Sequence, residues 1–271
     1  MLIIDASPPR LWIPTDLPAG TLLLWLDAFD FSTITISSNK ISQLRDKSGN
    51  SRHAFQSNVS NQPTYLSSAF NNRGGINFAS GTFQALETPA FNFAPGGSFT
   101  VTVIASNASS AYGRLTISKA AGINSYQTQY LGNDSSGSSL LSIHRNASVT
   151  SPVASKINTA LGATIIAHQV VATADISANT NSVRFFDNTP ATFAFDSTAV
   201  NTSAGLGIGG NISLAQAESW GGNIGEIIVT GAISVRNFRL IQGYSYWRSG
   251  VQANLSISHP FRDRPPLISD I

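Results

Sequence analysis

Short runs in which apolar and polar residues alternate recur along most of the chain. In the segment TITIS, Ile34 and Ile36 fall on one side, and Thr35 lies between them on the other. Because successive side chains of a strand point to opposite faces, such alternation predicts a strand with one buried face. The runs that predict strands are TLLLWLD (21–27), TITIS (33–37), GGINFA (74–79), SFTVTVIA (98–105), RLTIS (114–118), YQTQYL (126–131), SLLSIHR (139–145), ATIIAHQVVA (163–172), SVRFFD (182–187), GLGIGG (205–210) and NIGEIIVT (223–230).

Clusters of turn-forming residues separate these runs. APGG (94–97), GNDSSG (132–137) and ISANTN (176–181) are built mainly from Gly, Pro, Asn, Asp and Ser, which favour turns. Many short strands with regular turns are typical of one all-β domain with two packed antiparallel sheets. The chain length of 271 residues fits a single domain of this kind.

One segment near the end of the chain follows a helical period instead. Within residues 225–250, Val235, Phe238 and Ile241 recur at spacings close to one helical turn, and several aromatic residues follow them. Arginines lie between these apolar positions, so one side of the helix is apolar and the other is solvated. Ser234 stands where an N-cap residue would stand. We predict one short C-terminal helix that covers the open end of the core as a lid.

The two ends of the chain differ from its middle. Residues 1–20 contain four prolines, and residues 251–271 include an Arg-Pro-Pro segment. Proline lacks the backbone donor that a strand ladder needs, and it favours an extended backbone. We therefore predict an extended N-terminal arm over residues 1–20, a central domain over residues 21–250 and an extended Pro-containing C-terminal arm over residues 251–271. The arms either wrap their own domain or dock on neighbouring copies of the chain.

Low charge restricts the classes of partner. Charged residues make up 11% of the chain, the formal net charge is +2, and the basic residues are scattered singly. Nucleic-acid binding needs a cationic stripe that neutralises phosphates, so we expect no nucleic-acid partner. A weakly charged surface has little self-repulsion, which permits close association of subunits in a homo-oligomer. The chain has no cysteine and therefore uses no disulfide.

Neither membrane insertion nor secretion is predicted. No apolar run approaches the roughly 20 residues that a helix needs to span a bilayer. The start MLIIDASPPR has neither a basic n-region nor a continuous apolar h-region. We therefore expect no Sec-type signal.

Two segments carry a resemblance to a known family. One is LWLDAFDFSTITISSNKISQLRDKSGNSRHAFQSNVSNQPTY (24–65), with Trp-Leu-Asp, Asp-Lys-Ser-Gly-Asn and His-Ala-x-Gln motifs, and the other is GEIIVTGAISVRNFRLIQGYSYWRSG (225–250). They resemble the end signatures of concanavalin A-like lectin/glucanase (laminin-G-like) jelly-roll domains, of the type found in bacteriophage virion proteins. The resemblance covers roughly residues 21–259 and implies a jelly-roll sandwich of two antiparallel sheets. Such domains include lectins, glycosidases and purely structural virion modules.

The acidic residues do not predict catalysis. Glycosidases place two carboxyl groups across a sugar bond, and the glucanases of the resembled family supply theirs from a Glu-x-Asp-x-x-Glu strand. The glutamates of this chain, Glu87, Glu218 and Glu226, do not have that arrangement. We interpret Glu226 as an exposed strand position or a partner in an ion pair. We therefore predict that the protein is not an enzyme and uses no cofactor.

Calcium is the one metal that the sequence brings into question. In the loop Asp-Lys-Ser-Gly-Asn, Asp46 and Asn50 offer hard oxygen ligands, and lectin-like jelly rolls often hold calcium. The alternative is an Asx-type turn in which Gly49 adopts a positive φ. Lys47 would oppose a bound cation, which favours the turn, so we predict no metal site.

One strand carries aromatic residues suited to a sugar. YQTQYL places Tyr126 and Tyr130 on the same face, and His144 on the following strand could lie near them. Aromatic rings with hydrogen-bonding groups in a groove are suited to sugar recognition. The alternative is that both tyrosines pack on the sheet with their hydroxyl groups in water. Tyr126, Tyr130 and His144 are therefore the candidate glycan-binding residues.

The leading functional hypothesis is a non-enzymatic structural protein on the outside of a bacteriophage capsid or tail. There it would decorate the particle, attach fibres or contact the host surface. Its partners would be other virion proteins and copies of itself, reached through residues 1–20 and 251–271. The alternative is a carbohydrate-binding adhesin that recognises host-surface glycans in isolation. We expect the protein to reside in the virion after synthesis in the host cytoplasm.

Overall fold

A computed structural model shows antiparallel strands and one α-helix, α1 (Val235–Ser249). It describes residues 9–92, 94–107, 113–119, 129–133, 140–143, 154–157, 168–175, 178, 180–185, 189–194, 203–210 and 219–271. The strands within these ranges are β1 (Leu22–Asp27), β2 (Ile34–Ser37), β3 (Lys40–Leu44), β4 (Ala54–Phe55), β5 (Thr64–Phe70), β6 (Arg73–Phe78), β7 (Leu86–Glu87), β8 (Phe91–Asn92), β9 (Ser98–Asn107), β10 (Arg114–Lys119), β11 (Gln129–Asn133), β12 (Leu140–Ile143), β13 (Ala154–Ile157), β14 (His168–Asp175), β15 (Thr180–Phe185), β16 (Ala191–Ala194), β17 (Ser203–Ile208) and β18 (Gly222–Thr230).

Each run that predicted a strand overlaps one in the structure. The all-β prediction with one short C-terminal helix is therefore confirmed. The pattern missed β3, β4, β5, β7, β8, β13 and β16. Of these, β4, β7 and β8 have two residues each, which is too short for alternation to be visible.

The strand pairings join into one curled antiparallel sheet with two halves. In the first half the order is β1–β18–β9–β14–β15–β16. In the second half it is β2–β3–β4–β7–β17–β10–β11–β12–β13. β5 and β6 connect the halves, because β5 pairs with β3 and β6 pairs with β18.

The main hydrophobic core lies between the two halves. Leu24, Val103 and Ile227 come from the first half, Leu44 and Ile208 come from the second, and all belong to one packed cluster. Each is at most 2% exposed. Burying an aliphatic side chain of this size contributes about 1.5–3 kcal/mol. This layer therefore holds the two halves together.

The helix covers the outer face of the first half-sheet. Trp25 of β1 and Ile228 of β18 point away from the main core and pack with Ile241 of α1. On the same face, Ile104 of β9 packs with Tyr246. The prediction of a lid over the open end of the core is therefore wrong. β1, β18 and β9 carry apolar side chains on both faces, and α1 supplies the cover that the second face requires.

The ends of α1 follow the sequence prediction. Ser234 Oγ accepts a hydrogen bond from the N–H of Asn237 at 3.2 Å, as an N-cap does. Gly250 ends the helix with a φ of 75°, in the left-handed region that glycine adopts without strain. Within the described ranges, this helix is too short and too polar to cross a lipid bilayer.

The described parts of both terminal arms lie beside α1. Trp12 and Leu17 of the N-terminal arm and Phe261 of the C-terminal arm join the cluster beneath the helix. The arms also meet each other in a β-bridge between Leu11 and Leu267. These parts contact their own domain, and docking on neighbouring copies stays a prediction. Short 3-10 turns interrupt the chain at Pro14–Asp16, Phe31–Thr33, Val59–Asn61, Gln252–Asn254 and Ile268–Asp270.

Candidate functional site

Two buried carboxyl groups face each other across neighbouring strands. Asp27 at the end of β1 is paired in register with Glu226 of β18. Their side chains are bonded to α1 on the outer face, and the two residues are 0% and 1% exposed. Side chains directly opposite on antiparallel strands are close neighbours, and two like charges there are destabilising. For both carboxyl groups to be buried here, nearby cations must neutralise their charge or one of them must be protonated.

Two cations neutralise Asp27. Lys47 Nζ and Arg248 Nη2 both donate to Oδ2 of Asp27, at 2.9 and 3.0 Å. Lys47 also donates to Asp30 at 2.9 Å, and this bond, with those from Ser32, lowers the pKa of Asp30 to about 2. Burial lowers the pKa of Lys47 and of Arg248. The charge and hydrogen bonds of Asp27, together with those of the neighbouring acidic groups, outweigh burial and raise both pKa values. Both cations therefore stay charged at neutral pH.

Glu226 is held by neutral donors. Its Oε1 accepts a hydrogen bond from Trp25 Nε1 at 3.0 Å, and its Oε2 accepts one from Ser245 Oγ at 2.9 Å. Burial, together with the charge of Asp27, raises the pKa of Glu226 to about 8. Glu226 is therefore mostly protonated at neutral pH, which relieves the repulsion between the two carboxyl groups.

The residues of this buried network come from the motifs that carry the family resemblance. Trp25 and Asp27 belong to Trp-Leu-Asp, Lys47 to Asp-Lys-Ser-Gly-Asn, Glu226 to GEIIV and Arg248 to the end of the helix. Side chains from these motifs meet in the fold. Their bonds hold α1, and also the loop that follows β3, against the outer face of the sheet. The interpretation of Glu226 as an exposed position or an ion-pair partner is wrong, since Glu226 is buried and hydrogen-bonded to uncharged groups.

The loop after β3 holds the two calcium candidates. Asp46 accepts hydrogen bonds from three backbone N–H groups and from Ser48 Oγ, at 2.8–3.0 Å. Asn50 Nδ2 donates to two backbone carbonyls of β1, and Gly49 has a φ of 88°. This is the geometry of an Asx-type turn. Among the described residues, no group of three or more His, Asp or Glu side chains is placed to hold a metal ion.

A pocket of about 610 Å³ opens beside the buried network, between α1 and the two terminal arms. We call it the arm pocket. The N-terminal arm contributes Leu11, Trp12 and Ile13 to its wall, and the C-terminal arm contributes Pro265 and Pro266. The N–H of Trp12 donates to the carbonyl of Pro266 at 3.0 Å. The two arms therefore hold each other in place around the pocket.

Aromatic rings form the inner wall of the arm pocket. Tyr244 makes edge-to-face contacts with Trp12 and Trp25, with ring centroids 5.9 and 6.0 Å apart. Trp247, on the next turn of α1, donates from Nε1 to the carbonyl of Phe261 at 2.7 Å, which fixes its orientation. Trp12 and Trp25 are almost fully buried, whereas Tyr244 and Trp247 are half-buried. A ligand would therefore meet the rings of Tyr244 and Trp247.

Three cations also line the arm pocket, namely Lys47, Arg73 and Arg248, and no acidic residue that the structure describes does so. Lys47 and Arg248 are the two cations that bind Asp27 behind the wall. Arg73 stands exposed at the start of β6. Its side chain has no hydrogen-bond or ion-pair partner within the described ranges. The arm pocket thus combines apolar rings with positive charge.

A second basic groove lies near the N-terminal end of α1. Its volume is about 430 Å³, and Arg236, Arg239 and Arg264 line it together with Phe261 and Asp270. Arg264 forms two hydrogen bonds with Asp270, at 2.7 and 2.8 Å. The groove has no accessible aromatic wall, because Phe261 is 6% exposed. It is therefore a poorer site for an organic ligand than the arm pocket.

The residues predicted to bind a glycan lie largely outside the part that the structure describes. Tyr126 and His144 are both outside it. The backbone of Tyr130 belongs to β11 and is paired with Ile143 of β12, but its side chain is not described. A glycan site at these residues stays a prediction.

Sequence reasoning missed the arm pocket. Its lining residues lie far apart in the chain, in both arms, β1, the loop after β3, β6 and α1. Two signals were present, because the Trp-Leu-Asp motif and the aromatic end of α1 each contain pocket residues. No alternation or motif indicates that the two arms cross.

Comparisons with known proteins find a shared fold and no shared sequence family. No family model and no curated protein sequence matches the chain. Among solved structures, Trypanosoma rangeli sialidase in complex with sialic acid matches with a TM-score of 0.51 and 14% identity, over 83% of this chain and 33% of that one. The binding domain of Paraclostridial Mosquitocidal Protein 1 matches with a TM-score of 0.55 and 10% identity, over 84% and 52%.

A third match is botulinum neurotoxin type C, whose cell entry depends on interaction with two ganglioside molecules. The TM-score is 0.52 and the identity 10%, over 82% of this chain and 50% of that one. The chain thus spans about a third to a half of the length of these three structures. It shares a β-sandwich fold with them.

Proposed function

We propose that the protein is a non-enzymatic carbohydrate-binding module and that the arm pocket holds the sugar. The arm pocket itself carries this proposal, since it has about 610 Å³ of volume and presents Tyr244 and Trp247 beside cationic side chains. Sugar rings pack their apolar faces on aromatic side chains, while N–H donors bind their oxygens. A concave site of this volume is in the range used by small-molecule ligands.

The structural neighbours support the proposal at the level of the fold. One is a sialidase in complex with sialic acid, another interacts with gangliosides, and a third is a binding domain. At identities of 10–14%, no binding residue transfers from them to this chain. The location of the site therefore rests on the arm pocket alone.

A non-enzymatic role is part of the proposal. Asp27 and Glu226 form the carboxyl pair behind the wall of the arm pocket, and both are fully buried. Most glycosidases use two carboxyl groups that contact the substrate. Both groups of this pair are bonded to neighbouring side chains, and these bonds hold α1 and the loop after β3 against the sheet. Their arrangement fits a role in folding.

Titration calorimetry of the full chain against a panel of oligosaccharides tests the proposed site. We expect Trp247→Ala to weaken binding about tenfold, which corresponds to about 1.4 kcal/mol. Because Trp247 also bonds to the C-terminal arm, Leu11→Ser serves as a second variant at the rim, where Leu11 is 54% exposed. Ile257→Ser, at a residue that is 91% exposed and outside the pocket, is the matched control.

Two outcomes of this titration would contradict the arm pocket as the sugar site. One is glycan binding that neither pocket variant weakens. The other is a loss of binding in Tyr130→Ala with full binding in Trp247→Ala, which would place the sugar on the predicted strand site instead. Absence of binding to every oligosaccharide would refute the proposed function.

A second candidate function is a structural module on the outside of a bacteriophage capsid or tail, resident in the virion after synthesis in the host cytoplasm. The resemblance of residues 24–65 and 225–250 to signatures of virion domains favours it, and the key residues of both segments meet in one buried network. The low fraction of charged residues, 11%, permits close contact between copies. Other virion proteins and copies of the chain would then contact the arms.

Light scattering tests the structural role. The mass of the full chain is compared with that of a chain without residues 1–8, because Trp12 and Leu17 are part of the fold and must remain. A structural module assembles with copies of itself, and we expect the truncation to reduce that assembly. A monomeric mass for the full chain at high concentration would contradict self-assembly.

A further inference from the structure

We propose that the arm pocket selects anionic saccharides and that Arg73 and Arg248 bind the acidic group of the sugar. This inference rests on the proposed function, because it names the class of sugar for the same pocket. Three observations lead to it, namely the cations on the wall, the charge balance behind them and the rings beside them.

The cations of the arm pocket have donors to spare. Arg248 uses Nη2 for Asp27 and also bonds the side chain of Tyr244, and its own side chain is 30% exposed. A guanidinium has five N–H donors in a planar fork that matches a carboxylate or a sulfate. Arg73 is exposed, and within the described ranges its guanidinium has no protein partner. An acidic group in the pocket would therefore find donors that the fold does not consume.

The buried carboxyl groups do not cancel the positive charge of the wall. Three cations line the pocket. Within the described ranges, two carboxylates form ion pairs with them, those of Asp27 and Asp30, so positive charge is in excess. Glu226, which has a pKa raised to about 8 by burial, adds little negative charge at neutral pH. Asp27 is 0% exposed, so a ligand meets the cations first. A positive field at the mouth of a cleft raises the local concentration of anions.

The aromatic wall indicates that the anion is attached to a ring. A free inorganic anion would gain nothing from the apolar surfaces of Tyr244 and Trp247. A neutral sugar would pack on those rings but leave Arg73 without a partner. A saccharide that bears a carboxylate or a sulfate uses both features of the arm pocket.

Three probes that share the lactose unit test the inference in titrations of the full chain: lactose, lactose 3′-sulfate, which adds only the anion, and 3′-sialyllactose, which adds an acidic sugar. We expect the acidic probes to bind about tenfold more tightly than lactose at low salt, and the difference to shrink as salt screens the charges. Arg73→Gln should remove most of this preference. Arg236→Gln, at an exposed arginine outside the arm pocket, is the matched control and should keep it. Comparison of the two acidic probes distinguishes a sialylated sugar from a sulfated one.

The outcomes separate this inference from the proposed function. Equal binding of lactose and the acidic probes, lost in Trp247→Ala, would overturn charge selection and leave a sugar-binding arm pocket. A preference for acidic probes that Arg73→Gln leaves intact would also overturn the inference. If no probe binds, and no sugar of the wider panel does, both proposals fail.

Discussion

The two faces of the first half-sheet are buried in different ways. On the inner face, Leu24 and Ile227 pack against the other half-sheet through apolar surface alone. On the outer face, Trp25, Asp27 and Glu226 lie under α1, and each makes directed hydrogen bonds. The inner face thus needs volume and apolarity, whereas the outer face needs particular partners at particular distances. The candidate binding site lies at the edge of the outer face.

The largest expected effect is the loss of stability when the buried charge of Asp27 is removed from the outer face. Asp27→Ala leaves Lys47 and Arg248 without their shared partner, and we expect a loss of about 4 kcal/mol in the free energy of unfolding. Urea unfolding measures it. Asp30→Ala, which removes the more exposed partner of Lys47, is the control and should cost about 1 kcal/mol or less. Equal losses in the two variants would contradict the role assigned to Asp27.

On the inner face, the expected effect follows the volume that is removed. Leu26 is 0% exposed in the main core, and Leu26→Ala should cost about 3 kcal/mol through lost burial and the cavity that remains. Ile227→Val removes one methyl group from the same layer and should cost about 1 kcal/mol. A smaller loss for Leu26→Ala than for Ile227→Val in urea unfolding would contradict the account of this face.

The outer face should also show a dependence on pH that the inner face lacks. The folded protein keeps the proton of Glu226 up to about pH 8, whereas a glutamate in the unfolded chain releases it near pH 4.5. The folded state therefore binds more protons between these values, and stability falls as pH rises, by roughly 1 kcal/mol per pH unit. Below pH 4 the lowered pKa of Asp30 acts in the opposite sense, and stability falls toward pH 2.

Glu226→Gln isolates this effect. The amide keeps an acceptor for Trp25, and the hydroxyl of Ser245 can reverse its hydrogen bond, so the variant stays neutral at every pH. We expect it to remove the decline between pH 4.5 and 8, so that it is about 3 kcal/mol more stable than the unaltered protein at pH 8. Identical pH profiles for the two proteins in thermal unfolding would refute a protonated Glu226.

The smallest expected effect concerns the start of the helix that covers the outer face. Ser234→Ala removes the acceptor for the N–H of Asn237 and should cost about 1 kcal/mol in thermal unfolding. Ser234→Asp keeps an acceptor at the N-cap and should restore most of that loss. An alanine variant as stable as the original would show that this cap does not hold α1.

The strands could be predicted because their signal is local. A period of two in TITIS or SFTVTVIA needs only the neighbouring residues, and the structure places β2 and β9 there. The helix follows from a local period as well, with Ser234 and Gly250 at its ends. Where the helix packs is not local, because it depends on which sheet face stays uncovered.

Burial of Glu226 could not be predicted from alternation. The register of β18 shifts between Ile224 and Glu226, so the alternation of side chains between the two faces of the sheet is interrupted at that point. Ile224 and Ile227 both face the main core, although an uninterrupted strand would place them on opposite sides. The arm pocket escaped prediction for a similar reason, since Trp12 and Pro266 meet across nearly the whole chain length.

The most direct test of the account is a calorimetric titration of 3′-sialyllactose into Glu226→Gln and Arg73→Gln at neutral pH. Glu226 is buried and protonated, and it holds α1 through Ser245 without reaching the pocket. We therefore expect the affinity of Glu226→Gln to lie within about twofold of that of the unaltered protein. Arg73→Gln should lose about tenfold in affinity. Loss of binding in Glu226→Gln with full binding in Arg73→Gln would contradict the division between a buried structural network and an exposed binding pocket.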